Sequence, residues 1–110
     1  MRERIKDPSR ILHIQKAINK IETFMADKTI KDLIDESVLF YAIVKNLEII
    51  GEAANLLTDE YKEAHSEIPW QDYVKLRHVL VHGYYTINAQ IVYDICKDDI
   101  PQLKKLLECK

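Results

Sequence analysis

From Asp35 to Leu57 the chain runs without a proline, and its apolar residues return every three or four positions. Leu39, Ile43, Leu47, Ile50, Ala54 and Leu57 form one stripe; Val38, Ala42, Ile49, Ala53 and Leu56 form a second beside it. That period belongs to a helix. A helix apolar around so much of its circumference has to be covered from more than one side. The segment therefore predicts the central member of a helical bundle. Gly51 within it is less favourable than alanine by about 1 kcal/mol, and a close crossing by another helix is what such a glycine accommodates.

The flanking segments read the same way. Two glycines and three prolines in 110 residues leave too few chain breakers for the frequent turns of a sandwich or barrel. Asp7-Pro8 reads as an N-cap followed by a first-turn proline. Ile11, Ile14, Ile18, Ile21 and Met25 then mark one face of a first helix. Thr29-x-x-Asp32 has the form of a capping box for a short helix. Thr58 caps a short turn through His65, and Ser66 to Trp70 reads as a loop. A further helix is predicted from Trp70 to His82, stopped by Gly83, a natural residue for a helix C-terminus. Tyr84 to Ile87 reads as extended. Asn88 can cap a last helix, which Pro101 should kink or split. The expectation is an all-α, up-and-down bundle of about four main helices with short accessory helices, in a single domain over residues 1–110.

Charge excludes some roles. Sixteen basic residues against eighteen acidic ones, a net −2, is not the profile of a generic nucleic-acid binder. The distribution is uneven, however. Residues 1–20 carry Arg2, Arg4, Lys6, Arg10, Lys16 and Lys20 against two acids, whereas residues 48–67 carry six acids against Lys62. One end of the molecule can attract an anion that another repels; two ordinary solvated helix faces would give the same counts. The longest apolar run, Val38 to Val44, is too short to span a bilayer, and the opening residues lack the apolar stretch of a secretory signal. Cys96 and Cys109 make no disulfide framework and read as free thiols. A cytoplasmic location is expected.

Chemistry concentrates in Arg77-His78-Val-Leu-Val-His82-Gly-Tyr84-Tyr85. His78 and His82, four apart, share a helix face. Arg77 and His82, five apart, are separated by about 140° on an ideal helix, so joint action on one ligand needs a folded arginine side chain or two helices facing each other across a dimer cleft. Three readings compete. His-x-x-x-His is a metal-ligand spacing, but no glutamate follows the first histidine and no further cysteine or histidine clusters nearby. A structural reading pairs Arg77 with an acid such as Glu52 and satisfies the imidazoles with carbonyls. The third is phosphodiester chemistry: a guanidinium grips phosphate while staying charged, and an imidazole moves protons near neutral pH. Without a metal, that pair suits RNA, whose 2′-OH supplies the nucleophile.

Arg77-x4-His82-x-Tyr84 resembles the signature of the HEPN superfamily in its minimal, HepT-like toxin branch, with His78 in the place of the commoner polar residue after the arginine. Asn46-Leu-Glu-Ile-Ile-Gly-Glu-Ala-Ala54 resembles that family's second-helix signature. Ile68-Pro-Trp70 resembles the entry to its motif helix, and Asp98-Asp-Ile-Pro-Gln-Leu103 its closing helix. The likeness runs from about Asp7 to Leu107. It implies a HEPN-type domain, a homodimer or larger assembly, and a metal-independent endoribonuclease without a cofactor. It also implies a type VII toxin–antitoxin partnership with a nucleotidyltransferase antitoxin of the MntA type, which transfers AMP onto the motif tyrosine, here Tyr84. In that reading Arg77 and His82 are catalytic. His78 or Tyr84 orients His82 or touches RNA, and Glu52 holds Arg77. The alternative is a catalytically silent helical adaptor that binds the nucleotidyltransferase and never cuts RNA.

Overall fold

The computed structural model describes residues 6–83 and 88–108, with only the backbone of 81–83. Seven α-helices follow in order: α1 (Asp7–Met25), α2 (Ile30–Asp35), α3 (Ser37–Leu56), α4 (Asp59–Ala64), α5 (Trp70–Gly83), α6 (Ala89–Asp94) and α7 (Ile100–Glu108), the last two joined by a π-helical turn over Ile95–Asp99. No strand occurs among the described residues. The all-α expectation holds, with α1, α3, α5 and the composite of α6 and α7 as the main members.

α3 is central because α1 and α5 both pack on it; its first stripe is buried from Ile43 onward, whereas of the second only Ala53 is buried. Ile14, Ile18 and Ile21 of α1 meet Ile43, Leu47 and Ile50 of α3 in one buried cluster. Leu80 of α5, with Ile100 and Leu103 of α7, completes the cluster. Burying a side chain of this size stabilises the fold by about 1.5–3 kcal/mol. Val38, read as part of the second stripe, departs from that reading and is 82 % exposed. It sits in the first turn of α3, ahead of the buried run that opens at Ile43.

The helix ends follow local chemistry. Thr29 and Asp32 form the reciprocal capping box at α2. Thr58 accepts a hydrogen bond from Tyr61 N at the start of α4, and Asn88 accepts one from Ile91 N at α6. After α1 the chain turns at Asp27, whose φ of 61° is left-handed, a conformation that aspartate tolerates better than most residues.

The start of α1 corrects the sequence reading. Asp7 is the first helical residue and Lys6 the N-cap position. The carboxylate of Asp7 reaches across the bundle instead of capping its own helix. Thr58 N donates to Oδ1 at 3.0 Å and Thr58 Oγ1 donates to Oδ2 at 2.6 Å. Both residues are about 5 % exposed. A buried carboxylate needs such partners, and this latch ties the first turn of α1 to the start of α4.

Pro101 splits the last helix, as expected, but the split takes the form of a wider turn. Ile100 N–H donates to Ile95 O, five residues back, and the proline follows in the first turn of α7, where a missing N–H is harmless. Tyr73 of α5 donates to Asp99 O at 3.3 Å, fastening the π turn to α5. Burial, with the charges of Asp99 and Asp72, pushes the Tyr73 phenol up to about 12. Cys96 is a free thiol buried in this turn, and burial pushes it up to about 12. Cys109 lies outside the described residues.

Candidate active site

The site is built on the crossing of α3 and α5. A Cβ placed on Gly51 would lie 2.2 Å from Arg77 Cβ and 2.6 Å from Tyr73 O. The absence of a side chain there therefore lets the backbone of α5 rest directly on α3. Tyr73, Arg77 and Leu80 follow at helical steps on one face of α5. Tyr73 and Leu80 are buried, and they fix the rotation of the helix that carries Arg77 to the crossing.

Glu52, next to Gly51, is then in reach. Arg77 Nε lies 2.8 Å from Glu52 Oε2, with both side chains about one-third to one-half exposed. Oε2 is itself buried and makes no hydrogen bond, so the contact is a close ion pair rather than a hydrogen bond. The contact engages the inner nitrogen of the guanidinium. A fork held in this way keeps the geometry that binds phosphate oxygens in pairs.

Arg77 forms one wall of an open cleft of about 380 Å³. Arg10 and His13 of α1 face it, and Lys45 and Glu48 of α3 line it with Glu52. Its floor is apolar, made by Ile49, Ala53 and Leu56. Arg10 Nε is buried and has no hydrogen-bond partner among the described residues. Three permanent cations therefore meet two carboxylates here, one of them already engaged by Arg77.

The structure brings Arg77 and Glu52 together, as the sequence suggested. His78 is exposed on α5. The backbone of α5 reaches past His82, but the side chain of His82 lies outside the described residues, as do Tyr84 and Tyr85. Sequence reasoning missed Arg10, His13 and Lys45 as members of this cleft. The signal available was the excess of basic residues in the first twenty positions, which says nothing about which side chains converge. Among the described residues no three His, Cys, Asp or Glu side chains gather as a metal site, and no helix is long and apolar enough to cross a membrane.

Residues 14–109 match the family described as ribonuclease HepT-like. A protein of Thermococcus cleftensis named "Probable ribonuclease HepT" is 34 % identical over 95 residues, which cover 86 % of each chain. Two further proteins are each named a "Putative RNase". The one from Methanocaldococcus jannaschii is 33 % identical over 95 residues, covering 86 % of this chain and 87 % of that one. The one from Caldanaerobacter subterraneus is 39 % identical over 75 residues, covering 68 % and 67 %. No solved structure matches the chain.

Proposed function

We propose, from the premise that this chain belongs to the HepT-like family of ribonucleases, that it is a metal-independent RNA endonuclease working through Arg77 and His82. The observation that carries the reading is the setting of Arg77. It stands in the wall of an open cleft where three cations meet two carboxylates, held through its inner nitrogen by Glu52. An arginine placed only to bind two helices together has no need of a cleft in front of it.

The chemistry follows from the residue types. His82 takes the proton of the 2′-OH. The 2′ oxygen attacks phosphorus in line, the bond to the 5′ oxygen breaks, and that oxygen leaves with a proton. The products are a 2′,3′-cyclic phosphate and a 5′-hydroxyl end. Arg77 stabilises the charge that grows on the non-bridging oxygens, where a donor already in position is most effective. His78 or Tyr84 orients His82 or contacts RNA, and Glu52 acts by holding Arg77. The angle between Arg77 and His82 on one helix favours a homodimer in which two motif helices share a cleft around a twofold axis.

The reading extends to control. The chain acts as the toxin of a toxin–antitoxin pair, and a nucleotidyltransferase partner silences it by transferring AMP from ATP to the Tyr84 hydroxyl, with release of pyrophosphate. The added phosphodiester charge competes with RNA for Arg77. A second reading, the silent adaptor, draws on the same ion pair: Arg77 already has a partner in its own chain.

The deciding experiment is RNA cleavage by purified protein with and without EDTA. Arg77→Ala and His82→Ala should each lose at least about 100-fold in rate with an unchanged circular dichroism spectrum, and the wild type should keep its activity in EDTA. Cleavage that depends on added divalent metal, or that survives His82→Ala, defeats the mechanism. A folded wild type that cuts no RNA favours the adaptor. Co-expression with the nucleotidyltransferase should add AMP to the peptide holding Tyr84 and Tyr85; Tyr84→Phe should abolish the mass shift and Tyr85→Phe should not.

A further inference from the structure

The cleft is larger than Arg77 alone requires. Arg10 and His13, three residues apart on one face of α1, line it together with Lys45 of α3. Glu52 is engaged by Arg77, which leaves Glu48 as the other carboxylate among these cations. Arg10 Nε is a buried donor without an acceptor among the described residues. Buried donors are paired as a rule, and Arg10 lines the cleft, so a guanidinium left unpaired at this wall points to an acceptor that arrives from outside. The acceptor that fits a guanidinium, an imidazole and an ammonium group is an anion with several oxygens.

We infer that Arg10 and His13, with Lys45, form a second phosphate subsite that holds a backbone phosphate of the RNA strand next to the one gripped by Arg77. The inference rests on the ribonuclease reading and deepens it. The α1 wall sets how the strand lies across the cleft, and α3 with its apolar floor separates two phosphate contacts carried by different helices. A substrate with one phosphate fills only the Arg77 side. A longer strand reaches both.

The test uses the full chain and a 2′-O-methyl RNA hexanucleotide, which has the charges of RNA but no nucleophile, with binding read by fluorescence anisotropy. Arg10→Gln should raise Kd about 10-fold and His13→Gln about 3-fold, and Arg10→Gln should flatten the dependence of log K on log salt by about one phosphate contact. Neither should change binding of a dinucleotide with a single phosphate. Replacing single phosphates by uncharged methylphosphonates should reveal one position at which the wild type loses about 10-fold and Arg10→Gln loses nothing further, a pattern that a merely structural residue does not produce. Thermal melts confirm that both variants are folded. If the wild type cuts RNA while both variants bind the hexanucleotide as tightly as it does, the subsite is refuted and the ribonuclease stands. Equal losses on the dinucleotide refute it as well. If the wild type neither binds nor cuts RNA, the ribonuclease reading falls and takes the subsite with it.

Discussion

Replacing Gly51 with alanine tests how the fold positions the site. Two opposed effects act at this position. Alanine is favoured over glycine inside a helix by about 1 kcal/mol. Against this, the new methyl group would meet Arg77 Cβ at 2.2 Å and Tyr73 O at 2.6 Å, where ordinary contact begins near about 3.5 Å. Neither neighbour is the flexible end of a side chain, so the overlap can be relieved only by moving α5 off α3, by about 1 Å. Overpacking of this kind costs up to about 3 kcal/mol. The net expectation is a loss of about 2 kcal/mol, or a fall in Tm on the order of 10 °C, read by urea or thermal denaturation. The same displacement moves Arg77 relative to Glu52, whose contact is 2.8 Å. A shift of about 1 Å in a catalytic group can cost about 100-fold in rate, so on the proposed mechanism RNA cleavage at a temperature where both proteins are folded should fall by that order. A Gly51→Ala protein as stable and as active as the wild type refutes the close-crossing argument.

Two further outcomes follow from groups outside the cleft. Thr58→Val keeps the shape of the side chain but removes the bond to Asp7 Oδ2 and the cap on Tyr61 N; the loss of a buried charged hydrogen bond and a helix cap should destabilise by about 3 kcal/mol, and a change under about 0.5 kcal/mol in urea unfolding counts against the latch. Burial first, then the charges of Asp98 and Asp72, raises the Asp99 carboxyl above its usual 3.8. The folded state therefore holds that proton more tightly than the unfolded chain, and ionisation penalises the fold as pH rises through the raised value. Asp99→Asn should melt higher than the wild type at neutral pH, with the gap closing as pH falls below the ordinary carboxylate range. A constant gap across that range, or a lower melting point at neutral pH, contradicts the assignment.

Helix type and the central role of α3 were legible because periodicity and burial report the same physics: Ile43, Leu47 and Ile50 repeat at helical steps and are all buried. Gly51 was legible as a crossing, since only a backbone contact justifies glycine in the middle of so apolar a helix. The pairing of Glu52 with Arg77 was also within reach of the sequence. Asp7 was misread because capping is a local rule, and Thr58, its partner, lies 51 residues away. Arg10, His13 and Lys45 were hidden for a related reason. Each reads in the sequence as an ordinary surface residue of its own helix, and only the packing of α1 on α3 makes them neighbours of Arg77.

The latch between Asp7 and Thr58 bears on how a genetic map of this protein would look. Asp7 opens α1, and Arg10 stands one turn later on the same helix, in the cleft wall. A substitution at Thr58 frees the end of α1 and lets that wall drift, although Thr58 itself contributes nothing to the cleft. On the proposed toxin reading, a selection for cells that survive expression of this chain should therefore return changes at Asp7 and Thr58 alongside those at Arg77 and His82. Such survivors would trace the outline of the scaffold as much as that of the active site, and separating the two requires asking each variant whether it is still folded.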